Sequence, residues 1–238
     1  MSCAVTAIRR YPVKSMGGEP LERVTVDPRG LQGDRWYAVV DGEGRLASAK
    51  DSRRFRRRDE ILDYTAATRD GQVLVTGPEG TWPVGDPALD AVLTGRTGSG
   101  VQVLPERDVP HQDGGAVSLV GTATLDWCAQ RWGVDADPRR LRVNLVVATT
   151  EPFVEETWTG RALVVGVCTL RVVERIPRCR TIDVRQDGVE PRGRWLRPLG
   201  TERDACLAVY ADVVSPGEVG VGDRLRVEDP ASEGTLAG

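Results

Sequence analysis

The segment ALVVGVCTLRVVERI, residues 162–176, alternates or runs apolar as β-strands do, and it leads without a break into PRCRTIDV, residues 177–184. The second piece places Cys179 between Arg178 and Arg180, with Arg175 just upstream. Cations favour a thiolate, and the thiolate is both the nucleophile and the metal ligand. A thiol left by chance on the surface strand of an arginine-rich chain accounts for the same residues.

Outward from this segment, most of the chain reads as short strands cut by Gly, Pro and Asp turns. VVDGEGRLA (39–47) and ATRDGQVLV (67–75) each carry a turn signal inside a strand pair and predict hairpins. GDPALDAVLTG (85–95) predicts a short helix, with Asp86 as its cap and Pro87 at its first position. GTATLDWCAQRWGV (121–134) predicts another, with Leu125, Cys128 and Trp132 at helical spacing and Gly133 as its stop. Segment 186–205 has little periodicity and reads as a long loop or broken helix. The seam between two halves is expected near 105–116, and a frayed tail at the end. The fold class is mainly β with a few helices (α+β), barrel-like in character.

Composition removes several classes of function. The 238 residues carry a net charge of −3, which gives no bulk reason to expect nucleic acid or an anionic membrane as partner. No run of about 18 apolar residues predicts a membrane helix. MSCAVTAIRRYPVKS lacks the basic start and apolar run of a secretory signal, so a cytoplasmic location is expected. Five scattered cysteines fit neither a disulfide framework nor a structural zinc site. His111 is the single histidine, which argues against histidine metal sites and most histidine triads.

Several residues stand out as possible ligand contacts. Lys14 and Ser15, in YPVKSMGGEPL (11–21), bring a cation and a hydroxyl close to a glycine pair, groups suited to an oxyanion. An ordinary strand exit explains them as well. Arg35 in GLQGDRWYAVVD (30–41) offers a bidentate fork, or else forms a surface pair with Asp34. Arg142 and Asn144 stand two apart in RRLRVNLVV (139–147), hence on one strand face, pointing to a pocket or to solvent. Gly121 and Thr122 open a helix whose free amides suit an anion, unless the threonine caps them. The run DSRRFRRRDE (51–60) reads as a solvated loop. Cys128, Cys168 and Cys206 read as structural thiols.

Taken in order, YPVKSMGGEPL, GLQGDRWYAVVDGEG (30–44), LRVNLVV (141–147), PRCRTIDV and YADVVSPGEVGVGDRLRV (210–227) resemble MOSC-domain proteins, named for the C-terminal domain of molybdenum cofactor sulfurases. The likeness runs over nearly the whole chain and is nearest to the subgroup with an N-terminal β-barrel, which includes the mitochondrial amidoxime-reducing component. It implies an N-terminal MOSC-type barrel subdomain over 1–105 packed on a MOSC β-barrel over 106–229, with a flexible tail at 230–238. It also implies a molybdenum cofactor (Mo-molybdopterin). Cys179 falls on the family's metal-binding or persulfide-bearing cysteine, Lys14 and Ser15 on its phosphate pair, and Arg35 on its Asp-Arg motif. Arg142 and Asn144 fall on an Arg-Pro-Asn motif in which Val143 replaces proline. Arg178, and less closely Gly121 and Thr122, fall on further cofactor contacts.

The resemblance implies a molybdenum-dependent reductase of small N-hydroxylated compounds or related N- and S-oxides, supplied with electrons by external electron-transfer proteins. Its alternative is a sulfur carrier or transferase with a persulfide on Cys179 and a separate sulfur donor. Neither reading calls for nucleic acid or a membrane. One departure is Arg180, where the amidoxime-reducing group often has an apolar residue; it is expected to alter the mouth of the site. Trp195, Arg194 and Arg197 are expected to line that mouth.

Overall fold

The computed structural model describes residues 2–228; the expected tail at 230–238 lies outside the described residues. Seven strands close a barrel. In order around it run Ser2–Arg10, Leu145–Val147, Val117–Gly121, Cys206–Ser215, Cys168–Pro177, Ala162–Val165 and Arg224–Glu228, the last pairing back onto Ser2–Arg10. All pairings are antiparallel except Val117–Gly121 with Leu145–Val147. A parallel pair needs a crossover, and helix α2 (Thr122–Trp132) lies within it.

The period-two patterning sets which residues fill the barrel. Leu163 and Val165, Cys168, Leu170 and Val172, Leu145 and Val147, and Val209 and Ala211 point inward and are almost fully buried. Each such leucine or valine stabilises the fold by about 1.5–3 kcal/mol of transfer free energy. Around Val117–Gly121 and Leu145–Val147 the sequence is apolar without alternation because both faces are covered. Val120 and Val146 pack outward against Leu125 and Cys128 of α2, in a cluster with Trp195 and Leu199. Gly133 ends α2 in the left-handed conformation, as its place after the periodic run predicts.

A second layer is built from the first hundred residues. The strands Phe55–Arg57, Leu46–Ser48, Tyr37–Asp41 and Val101–Pro105 form one sheet, and Thr65–Arg69, Gln72–Gly77 and Gly80–Pro83 another. Both expected hairpins are present. In the second, Asp70 and Gly71 have φ of 50° and 77°, the paired positive values of a tight hairpin turn. Helix α1 (Pro87–Thr97) starts at Asp86, whose carboxylate accepts the Ala88 amide at 2.8 Å. Its buried Leu89 and Leu93 share a core with Ile61, Tyr64, Val75 and Val103.

The layers interlock. Strand Arg23–Asp27 pairs with Gly217–Gly220, and Ser2–Arg10 is a stave of the barrel otherwise made from the second half. Between them, segment 11–16 crosses from one layer to the other. Tyr11, Val13 and Met16 on it are fully buried, and Val13 bridges to Tyr37. This crossing fixes Lys14 and Ser15 at the junction.

Candidate functional site

A cavity of about 290 Å³ opens at this junction. Lys14 and Ser15 reach it from the crossing segment, and Ser48, Lys50, Arg54 and Phe55 from the N-terminal sheet region. Arg140, Arg142, Arg178, Cys179, Thr181 and Tyr210 reach it from the barrel side. Seven cationic side chains line it against two acidic ones, Asp113 and Glu174, in a chain whose net charge is −3. The cationic excess is therefore local, and bulk charge gives no sign of it.

Three of the lining residues hold their backbone in the left-handed region: Ser15, Arg35 and Arg142, with φ of 68°, 54° and 53°. None is a glycine, and such conformations cost about 1–3 kcal/mol each and gather at functional sites. The conformation at Arg142 also corrects the expectation that Arg142 and Asn144 share a strand face. The strand begins only at Leu145, so alternation does not run through both residues. Arg142 turns to the cavity. The Asn144 side chain accepts from the Ser118 amide and hydroxyl at 3.1 and 2.9 Å and donates to the Arg9 carbonyl at 3.2 Å. It braces strands, away from the cavity.

Lys14 is 4% exposed, and its ammonium donates to the His111 carbonyl at 2.7 Å and meets Asp113 at 3.1 Å. Burial lowers it to about 8, Asp113 opposing and Arg35 and Arg54 assisting. Burial also works against ionisation of Asp113, yet Lys14, Lys50 and Arg35 together hold it at about 2. Ser15 donates to the Ala47 carbonyl at 2.8 Å. Arg35 donates through Nη1 to the buried Asp34 carboxylate and through Nη2 to the Arg142 carbonyl at 3.0 Å. Arg142 donates to the Met16 carbonyl at 2.7 Å. Among the described residues it meets no carboxylate in an ion pair, and burial lowers its pKa.

The cysteine wall differs from its sequence reading. Arg175 is engaged by Glu156 at 3.0 Å, and Arg180 makes a two-pronged pair with Asp59, both contacts at 2.7 Å. Neither lines the cavity. The pairing of Cys168–Pro177 with Cys206–Ser215 shifts register between Val172 and Glu174 and again between Arg175 and Pro177. Such shifts re-aim a strand, and the chain then turns at Cys179 into a 3₁₀-helix, Arg180–Asp183. Arg178 alone of the flanking cations faces the cavity beside the thiol. Its Nε and Nη1 donate to the Leu207 and Leu141 carbonyls, each at 2.8 Å, and its Nη2 is buried without a partner. Burial brings Arg178 down to about 10. Arg140 has a partnerless buried Nη2 as well. The Cys179 sulfur lies 3.3 Å from the Thr181 hydroxyl.

Lys14, Ser15, Arg35, Arg142, Arg178 and Cys179 thus line one cavity, while Gly121 and Thr122 lie elsewhere. The start of α2 already has its anion: Glu155, fully buried, accepts the Gly121 amide at 3.1 Å and the Thr124 hydroxyl at 3.0 Å. The Ala123 amide goes to the Thr149 hydroxyl at 3.1 Å, and Thr122 donates to the Thr149 carbonyl at 3.3 Å rather than capping. Trp195 is 1% exposed in the core behind α2, its amide bound to Asp183 at 2.6 Å, so it forms no aromatic wall at the mouth; Arg194 and Arg197 do not line the cavity either. The solvated-loop reading of 51–60 is corrected too, since Arg54 and the buried Phe55 belong to the cavity wall. Among the described residues, no three His, Cys, Asp or Glu side chains gather to hold a metal ion, and no helix is long and apolar enough to cross a membrane.

The chain matches the MOSC domain over residues 106–226 and the MOSC N-terminal beta barrel domain over residues 2–103. No curated protein matches it. Among solved structures, the YuaD protein from Bacillus subtilis is 14% identical, with 96% of this chain and 97% of that one covered at a TM-score of 0.50. That likeness is one of fold. YiiM from Escherichia coli is 11% identical over 98% of this chain and 72% of its own, with a TM-score of 0.46.

Proposed function

The chain belongs to the MOSC family, associated with molybdenum cofactor binding and sulfur transfer, and we propose that its cavity holds a molybdenum pterin for the reduction of small N-hydroxylated compounds or related N- and S-oxides. The observation that carries this reading is the partnerless buried Nη2 of Arg178 beside the Cys179 thiol, on the wall of a cavity rich in cations. A buried guanidinium nitrogen left without an acceptor is costly, and an anionic ligand relieves that cost. The donor set suits a group with a thiophilic centre and a phosphate: one soft thiol at one wall, and a lysine, a hydroxyl and guanidinium forks at another.

Lys14, Ser15, Arg35 and Arg142 would hold the phosphate and pterin, and the Cys179 sulfur would be the protein's ligand to the metal. When bound, the cofactor would supply a two-electron centre for removing oxygen from the substrate. Around it, Thr181 orients the thiol, Arg178 balances anionic charge, and the deep walls replace water by fixed donors. Electrons would arrive from external electron-transfer proteins, and the substrate would be a small molecule.

The test is the molybdenum and pterin content of the purified chain, wild type and Cys179→Ala side by side. The expected result is near-stoichiometric metal and pterin in the wild type and lost metal in the variant. Reduction of an amidoxime with supplied electron carriers should then disappear in Cys179→Ala. A wild type that stays empty in a cofactor-producing host, yet gains the mass of one sulfur atom at Cys179 from a cysteine desulfurase, would move the assignment to a sulfur carrier.

A further inference from the structure

Two buried aromatic rings lie beside the cavity, and each carries three cations. The guanidinium carbons of Arg142, Arg35 and Arg9 lie 4.4, 5.0 and 5.8 Å from the centre of the Tyr11 ring. Lys50, Lys14 and Arg54 lie 4.6, 5.0 and 5.1 Å from the centre of the Phe55 ring. All six fall within the roughly 6 Å over which a ring face attracts a cation. The carboxylates nearby are too few to balance them. Asp34 serves Arg35, Asp187 serves Arg9, and Asp113 is shared by Lys14 and Lys50. Among the described residues, Arg54 and Arg142 have no carboxylate in an ion pair with them, while the others do.

We infer that Tyr11 and Phe55 are positioning residues of the anion cradle: their ring faces hold its cations together where carboxylates would neutralise them. The inference rests on the anion-binding reading of the cavity. A carboxylate beside every cation would compete with an anionic ligand for the same donors. An aromatic face attracts the cation through its quadrupole and leaves the N–H groups free. The Tyr11 hydroxyl is buried without a partner, so the ring and not the hydroxyl is what the site uses. Its main chain ties to the same groups: the Tyr11 amide donates to Asp34 at 2.8 Å, and the Tyr11 carbonyl accepts the Arg35 amide at 2.7 Å. Tyr11 does not line the cavity, so a change in its ring acts on a ligand only through the arginines.

The experiment measures pyrophosphate affinity by calorimetry on the full chain, purified from a host unable to make the pterin. Tyr11→Phe should bind within about twofold of wild type, because the ring face is kept. Phenylalanine carrying one to five ring fluorines at position 11, and separately at position 55, should weaken binding in graded steps to about tenfold. Shape changes little along such a series while the quadrupole falls and inverts, so a purely structural role would leave affinity flat. Affinity independent of fluorine number, at matched thermal midpoints, overturns the inference and leaves the cradle standing. A wild type that binds no pyrophosphate removes the cradle and the inference together.

Discussion

Two regions of this molecule look alike as sequences of donors and differ as sites. One is the start of α2, where the Gly121 amide meets Glu155 and the Ala123 amide meets Thr149. The other is the cavity beneath Lys14, Arg35, Arg142 and Arg178. Both have the chemistry to receive an anion. At the helix the chain supplies that anion itself, in a buried carboxylate bound at 3.0 and 3.1 Å. In the cavity it leaves guanidinium nitrogens of Arg140 and Arg178 without acceptors. A set of donors becomes a candidate site where the fold leaves it unsatisfied, and unsatisfied donors cannot be counted from sequence.

The largest test of that contrast removes a donor from the open region. Lys14→Ala should weaken pyrophosphate binding by about a hundredfold, as loss of a buried charge-assisted contact does, with the thermal midpoint little lowered. A calorimetric titration decides it; unchanged affinity would mean that Lys14 serves only Asp113. The matching change in the filled region, Glu155→Ala, should do the reverse. It strands the Gly121 amide and Thr124 hydroxyl, so chemical denaturation should show a loss of about 2 kcal/mol with anion affinity intact. An affinity loss there would show that the start of α2 communicates with the cavity.

A smaller effect comes from pH. Lys14 has its folded value lowered to about 8, so its charged form, which an anion needs, is lost as pH rises through that value. Affinity should drop about fivefold over the next pH unit and stay level in Lys14→Arg. For stability the sign is opposite: the folded state binds fewer protons than the unfolded chain between about 8 and the ordinary lysine value of 10.5, so Lys14 makes folding more favourable as pH climbs through that window. The smallest effect is at Asp113, 47% exposed and paired to Lys14. Asp113→Asn removes a competing carboxylate and should tighten pyrophosphate about threefold. Weaker binding would instead make Asp113 a brace for Lys14.

The hairpins, α1 and α2 were readable because their signals are local: Asp70-Gly71, the Asp86 cap, Gly133. The family resemblance groups Lys14, Ser15, Arg35, Arg142, Arg178 and Cys179, which line one cavity, whereas alone their motifs fit a strand exit, a surface ion pair or a solvent-facing strand equally well. What stayed hidden was relational. Arg180 is adjacent to the cysteine in sequence but belongs to Asp59 in space, and Arg175 belongs to Glu156. Phe55 looked like a stray apolar residue in a basic run because nothing local shows that Lys14, forty residues away, shares its ring. Tyr11 carries no local mark of gathering three arginines either, since two of them, Arg35 and Arg142, come from segments far off in the chain. Asn144 misled through backbone geometry, since a single left-handed residue at Arg142 cancels the alternation on which the reading rested.

The closure of the barrel has a consequence for biosynthesis. The strand Ser2–Arg10 leaves the ribosome early, and its neighbours Leu145–Val147 and Arg224–Glu228 leave far later. Until they are made, its inward face, with Val5 and Ile8, has only the early members of its core cluster, Val24, Val26 and Leu31 among them, and lacks the rest of the barrel interior. Long-range pairing of this kind slows folding and lengthens exposure to aggregation. Closure must therefore wait for the later of these two strands to be made, and a piece cut at the boundary between the two matched regions would lack one stave and leave two strand edges open.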